Sequence, residues 1–370
     1  MAVVSGYQVD TGRSYSDVPS GSRGRDVSQR EDLANFISML TRDETPFMSS
    51  IGKTKATAIY HEWQTDQLNS PGNSRIGEGT DYRIPTTGFR GAGTAGTTGG
   101  TTQTFDGPNS TFAITGPQRS RLGNYTQING KTIAVSGTRR AIDQAGVADE
   151  YAYQLKKRGT ELRRDIEFDL VHSYNPSSAS ATRTFGGYQA WINSERTCEL
   201  NGAALATASA TNTGREAPTL TNNRVALSLS DIDATMQDIY EEGGKASKIM
   251  LSPKLRRDFS DLMVTDSGVR RNIDMDGKLR QSVDVYMSDF GDLMVEPNYI
   301  MGLGYTAGGQ EHANSCALIY DPMWFAVATL RPLQEVDVGQ RGDSTIGMMV
   351  EECTLEVKNP LGCGAIYNLA

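Results

Sequence analysis

The sequence predicts an α+β protein, a two-lobed body of mixed helices and strands that carries extended appendages. Three observations carry that expectation. One long amphipathic helix lies near mid-chain, a Gly/Thr-rich stretch without periodicity sits between two strand-like segments, and strand patterns dominate the C-terminal third. At 370 residues the chain exceeds what one small core organises. Its 39 glycines and long Thr/Ser/Ala/Asn tracts point to much irregular or extended backbone.

Residues 1–30 are rich in Ser, Gly and Arg and low in apolar groups, so they read as an arm that orders only on a partner. In QREDLANFISMLTRDETPFMSSIGK, Leu33, Phe36, Ile37 and Leu40 recur at helical spacing, which predicts a short amphipathic helix before Pro46 stops the run. Lys55–Thr65 and Tyr125–Val135 alternate as strands do. The Gly/Thr/Arg-rich stretch between them has no core of its own and belongs in a compact protein only if it lies on another surface. It reads as a long hairpin with its tip at residues 91–102 (GAGTAGTTGGTT), and about twenty residues per side reach on the order of 60 Å.

The clearest element is AGVADEYAYQLKKRGTELRRDIEFDLVHS. Ala148, Ala152, Leu155, Gly159, Leu162, Ile166 and Leu170 fall three or four apart, while Glu150, Lys156, Arg163, Glu167, Asp169 and their charged neighbours occupy the other faces. A helix of twenty-six residues spans roughly 39 Å, a spine packed on one sheet. After RTFGGYQAWI (183–192), the polar tract from Cys198 to Asn223 reads as a surface insertion. Ser230-Asp-Ile-Asp233 looks like a capping box opening a helix with Ile232, Met236, Ile239 and Tyr240 on one face, up to Gly243-Gly244. SKIMLS (247–252) is a strand, and Pro253 opens a second helix with Leu255, Phe259, Leu262 and Met263 inward, so this part is a small α/β lobe. VDVYMSDFGDLMVEP reads as a hairpin, and further strands follow to the end, with a turn at Asn-Pro-Leu-Gly. No internal repeat of fixed period occurs, which disfavours solenoids and propellers.

Forty-four acids against 36 bases give a net charge of −8, which argues against a dedicated nucleic-acid binder. The apolar stretches are short and the N-terminus is polar, so neither a spanning helix nor a signal peptide is expected and the protein is read as cytosolic. Cys198, Cys316, Cys353 and Cys363 show no CxxC spacing and read as buried thiols.

Candidate chemistry is thin. Gly130-Lys131-Thr132 resembles the end of a phosphate-binding loop, but Tyr125 stands where the first glycine is needed and a strand follows where a helix should. His61, His172 and His312 fall on separate elements without HExxH or ligand spacing. Asp274-Met-Asp276-Gly277 lacks the register of a calcium loop and reads as a turn. Arg341-Gly342-Asp343 and the sequons at Asn109 and Asn124 are chance matches, and Trp63, Trp191 and Trp324 read as core rather than base-stacking residues. No GxSxG elbow or Cys/His signature is present. No catalytic residue, cofactor or metal is therefore expected.

The order of parts resembles the Hong Kong 97 phage capsid fold: polar arm, short helix, long hairpin, spine helix, α/β lobe and return to a C-terminal sheet. REDLANFISMLTRDETPFMSSIGKTKA, YHEWQTDQL, NYTQINGKTIAVSGT, AYQLKKRGTELRRDIE, FGGYQAWI and TLEVKNPLGCGAIYNL resemble a tailed-phage major capsid (major head) protein family, and the likeness covers most of residues 28–370. The resemblance implies an N-terminal arm at 1–45 and a peripheral domain at 46–64 and 122–184 with its spine helix at 145–174. It implies an extended loop at 65–121, an axial domain at 185–315, and C-terminal strands at 316–370 that complete the peripheral domain. The GFRGAGTAGTTGGTTQTFDGPNS tract makes the extended loop longer than the family pattern. Some shells of this fold crosslink a Lys to an Asn, but the dipeptide Lys358-Asn359 does not predict such a bond here.

The implied function is a non-enzymatic major capsid protein. It would assemble into hexamers and pentamers of an icosahedral head enclosing phage double-stranded DNA, without sequence-specific binding and without membrane contact. A separate scaffolding protein, a portal and a decoration protein are the implied partners, with assembly in the host cytoplasm and residence in the virion. A nanocompartment shell of the same fold and a nucleic-acid-binding protein are the alternatives. Charge suggests where subunits dock: the loop carries Arg75, Arg83 and Arg90, whereas residues 315–370 carry seven acids, among them Glu335, Asp337, Glu351 and Glu352, against three bases. The loop arginines of one subunit are expected on those acids of the next.

Overall fold

The structure is a computed structural model. It describes residues 41–66, 103–107, 110–114, 120–142, 146–173, 176–177, 182–192, 197–199, 224–265, 284–303, 306–307, 310–311, 315–340 and 342–369. The helix expected on Leu33–Leu40, the loop tip at 91–102 and most of the polar tract before residue 224 lie outside these residues.

The described chain enters through α1 (Pro46–Ser50), whose first turn tolerates a residue without N–H. Pro46 therefore starts an element as well as ending the run before it. The strand expected over Lys55–Thr65 is two strands, β1 (Gly52–Lys55) and β2 (Tyr60–Thr65). Next, β3 (Gln103–Gly107) and β4 (Ser110–Ile114) pair antiparallel with each other, so the returning half of the long loop folds back on itself rather than running as one strand. The strand expected at Tyr125–Val135 also divides, at Thr126, into β5 (Ser120–Tyr125) and β6 (Gln127–Ser136). Then come α2 (Gly137–Ala141), the spine α3 (Glu150–His172), β7 (Thr197–Glu199), α4 (Leu229–Glu241), β8 (Lys248–Leu251), α5 (Pro253–Thr265), β9 (Val285–Ser288) and β10 (Gly291–Pro297). The chain continues with β11 (Thr306–Ala307), β12 (Gln310–Glu311), β13 (Cys316–Tyr320), β14 (Phe325–Gln340), β15 (Ser344–Val357) and β16 (Gly364–Tyr367).

A four-stranded sheet has the order β1-β14-β15-β6, with β1 parallel to β14 and the other pairs antiparallel. The spine packs across it. Leu162, Ile166 and Leu170 share a core with Ile133, Val135, Met349 and Leu355. At 23 residues the helix is about 34 Å long, shorter than expected, because the Asp149 carboxylate caps it by accepting from Tyr151 N. Apolar burial covers only its second half, since Leu155 is half-buried and Ala152 exposed.

A six-stranded sheet has the order β7-β16-β13-β8-β10-β9. Alternation along β13 splits it between two cores: Ala317 and Ile319 face α4 and α5, with Ile232, Met236, Ile239, Leu255 and Phe259, while Leu318 and Tyr320 face the spine's core. The helix α4 starts two residues earlier than expected. Ser228 is its N-cap and Asp231 completes the capping box, so Tyr240 turns out of the buried face and is exposed. Gly243, at φ +84°, ends it.

The C-terminal strands do not stay together. Only β14 and β15 join the spine's sheet, whereas β13 and β16 are interior strands of the six-stranded one. Four rings close the seam between the sheets: Phe47, Tyr188, Tyr320 and Phe325 lie with centroids 5.1–6.0 Å apart, each from a different segment. The Tyr188 hydroxyl, fully buried, lies 2.8 Å from the Ile319 carbonyl and 3.0 Å from that of Gly364.

Candidate functional site

The root of the long loop is built as a clamp. Strands β2 and β5 pair antiparallel from Tyr60↔Tyr125 to Thr65↔Ser120, so the two ends of the loop leave the body side by side. Behind them Asn124 is fully buried. Its Nδ2 donates to the carbonyls of Gly186 and Leu355, and its Oδ1 accepts from Gly186 N, each at 2.9 Å. This sequon asparagine is thus an internal tie, with no free amide to modify. His61 Nε2 lies 3.3 Å from Glu356 Oε2, which also accepts from Thr54 Oγ1 at 2.8 Å. The His61 contact, more than that of Thr54, holds the Glu356 carboxyl below its usual range. Trp63 packs on Trp191 at 5.4 Å.

The four acids expected at a subunit contact separate into two pairs. Glu352 points inward: Oε1 accepts from Thr126 Oγ1 at 2.8 Å and Arg183 Nη2 at 2.7 Å, and Oε2 accepts from Arg331 Nε at 2.8 Å. Burial pushes its carboxyl up, but these donors and the two guanidinium charges outweigh burial and leave it below the ordinary range. Its neighbour Glu351, on the other face of β15, is buried too and is pushed up by burial against the pull of Arg163 and Lys53. Both expected contact residues are thus interior within the single chain, since a central strand alternates its side chains between covered faces. Glu335 and Asp337 stand exposed on β14, where Glu335 accepts from the Tyr151 hydroxyl at 2.6 Å and raises its pKa to about 12. Asp337 accepts from Gly339 N at 2.8 Å. Arg75, Arg83 and Arg90 lie outside the described residues, so the structure does not bring the two charge sets together.

Two residues that matter were missed. Glu167, placed above on a face away from the apolar stripe, is fully buried and accepts from Phe47 N at 2.8 Å, Met48 N at 2.7 Å and Asn298 Nδ2 at 2.9 Å. It ties the spine to the entering chain and to the end of β10; burial pushes its carboxyl up, opposed by those three donors. Arg183 bridges Glu352 and the Thr126 carbonyl, binding the segment after the spine to the loop root. Its one signal was a lone charge opening an apolar run.

The remaining candidates are structural. Lys131 sits mid-strand in β6 and pairs with Asp165 at 2.5 Å. His61 and His172 belong to separate elements, His172 being buried against Phe168 at 4.6 Å. Asn359 caps the turn at Pro360–Gly362 through Leu361 N, and Gly342-Asp343 form the turn between β14 and β15. Cys316, Cys353 and Cys363 are buried thiols, and burial pushes Cys316 and Cys353 up to about 12. Asp274–Gly277, His312 and Asn109 lie outside the described residues. Among the described residues no three His, Cys, Asp or Glu side chains are placed to hold a metal, and no helix is long and apolar enough to cross a membrane.

The described fold superposes on solved structures. The capsid of a native GTA particle superposes with a TM-score of 0.52 at 12% identity, covering 97% of this chain and 99% of that one. The Gordonia phage Cozz structure gives 0.52 at 14%, covering 95% and 97%. The SrpI encapsulin of Synechococcus elongatus PCC 7942 gives 0.51 at 12%, covering 93% and 95%. The class is thus that of proteins with the Hong Kong 97-like capsid fold. The family model for the SU10 major capsid protein matches residues 11–370, and the chain belongs to that family. The major capsid protein of Escherichia phage Phieco32 is 27% identical over 278 residues, 65% of this chain and 68% of that protein. The role is that of a major capsid protein, a structural component of a phage shell.

Proposed function

We propose that the chain assembles into hexamers and pentamers of an icosahedral head that encloses double-stranded DNA. A separate scaffolding protein and a portal would guide assembly in the host cytoplasm. The observation that carries this reading is the clamped loop root: an antiparallel base, held to the body by Asn124, His61 and the Trp63–Trp191 contact, brings the two ends of the 65–121 loop side by side. A rigid base gives such a loop its value between neighbours, because burial is then spread over several partners. The acids it would meet narrow to Glu335 and Asp337, exposed on β14, since Glu351 and Glu352 are occupied within the chain. Arg75, Arg83 and Arg90 of one subunit would lie on that pair in the next. The nanocompartment reading rests on fold likeness to SrpI alone, and the match of the phage family model over residues 11–370 favours the phage head.

Negative-stain microscopy of the chain co-expressed with a scaffolding protein tests the reading, with uniform shells expected. Arg83→Glu with Arg90→Glu should lower shell yield at low salt, and adding Glu335→Lys with Asp337→Lys should restore part of it. Normal shells from the double arginine variant would remove the charge-docking part. Absence of shells from the wild-type chain would remove the whole reading.

A further inference from the structure

A groove runs between the first half of α3 and the β14–β15 ribbon. Ala152, Leu155 and Gly159 line its helical side and Leu333 and Met349 its strand side, around a volume of about 370 Å³. Gly159 allows the approach, for a Cβ there would stand only 3.2 Å from Met349 Cε. Two cations rise from the helical rim, Lys156 and Arg163, both exposed. Arg163 faces Glu351, whereas no described carboxylate pairs with Lys156. This is an apolar floor under a basic edge, on the part of the spine that the core leaves uncovered.

What reaches it follows from where the chain enters. Positions 152, 156, 159 and 163 form one stripe of the helix, and the next turn brings Glu167, which holds the N–H groups of Phe47 and Met48. The entering chain thus meets the spine one turn beyond the groove, at Phe47 and Met48. Lys156 is about 16 Å along the axis from Glu167, and residues 41–45 span at most about 16 Å when extended. Immediately before them stands EDLANFISML (31–40), with Leu33, Phe36, Ile37 and Leu40 at helical spacing and Glu31 and Asp32 ahead of them. Its apolar residues match the floor and its acids match the rim.

We infer that the groove receives residues 31–40 of its own chain, with Phe36 and Ile37 against Leu155 and Met349 and Asp32 beside Lys156. This contact completes the cover of the spine within one subunit. It does not depend on the shell reading, because it forms before any neighbour is present.

Hydrogen exchange on the full-length, unassembled chain tests it. Phe36→Asp with Ile37→Asp should speed amide exchange across residues 152–163 about tenfold, while residues 316–320 in the six-stranded sheet keep the wild-type rate and show that the body is folded. Unchanged exchange across 152–163 would overturn the inference. The origin of the segment is read by oxidising Asp32→Cys, Lys156→Cys chains mixed from light- and heavy-isotope preparations. Disulfides within single chains are expected; bridges joining light to heavy chains, or none, would overturn it. Shell formation is scored on the wild type by microscopy, so failure there counts against assembly and leaves the exchange readout intact.

Discussion

Glu352 and Asp169 lie on opposite faces of the spine's sheet, and their neighbours drive their titrations in opposite directions. Glu352 is held below the ordinary carboxylate range, so its contribution is present above pH 4.5 and is lost as pH falls through its lowered folded value. Glu352→Ala would leave Arg183 and Arg331 without their shared acceptor, and a loss of about 3 kcal/mol is expected at pH 7. Urea unfolding should show that gap narrowing in acid. Asp169 behaves in reverse: burial raises it from 3.8 to about 6 against the hydrogen bond from Gln127. Its effect is a loss of stability as pH rises from 3.8 towards 6, because the unfolded chain ionises first. Asp169→Asn removes that slope, and wild-type and variant curves that stay parallel over this window would contradict the assignment. Neither role was legible in sequence. Charges on an amphipathic helix or in a Glu-Glu pair look solvated until the partner element is known.

At the scale of elements, the ends carry more information than the middles. The spine stops at His172, and Gly187 packs back against its end, its N–H donating to the Ser173 carbonyl at 2.9 Å. A Cβ at Gly187 would collide with the Asp169 and Leu170 carbonyl oxygens, which are backbone and fixed by the helix. Gly187→Ala should therefore cost at least about 2 kcal/mol, against about 1 kcal/mol for Gly243→Ala, whose strain is a positive φ in open space. A smaller drop in thermal midpoint for Gly187→Ala than for Gly243→Ala would refute this packing account. The helices α3, α4 and α5 were legible because three- and four-residue spacing survives any tertiary context, whereas the single-turn α1 and α2 were not. The strand divisions at residues 56–59 and at Thr126 were not. No Gly or Pro marks Thr126; its N–H donates to the Ile59 carbonyl, its carbonyl accepts from Arg183 and its hydroxyl donates to Glu352, and these ties break the run there.

For the whole molecule, the order of parts could be read from the sequence but the partition of strands could not. Alternation in CALIY or GAIY tells which residues share a face, not which sheet accepts the strand. The result is a chain in which Gly52 pairs with Ala326, and β16, formed by residues 364–367, lies between β7 and β13. That placement has a temporal consequence. While a ribosome is still short of residue 367, the six-stranded sheet lacks an inner strand and the four-ring seam has no backing carbonyl at Gly364. Pairing across such distances is also slow. Both the inner strand and the seam's backing thus arrive together, so the six-stranded sheet closes only once residues 364–367 are in place.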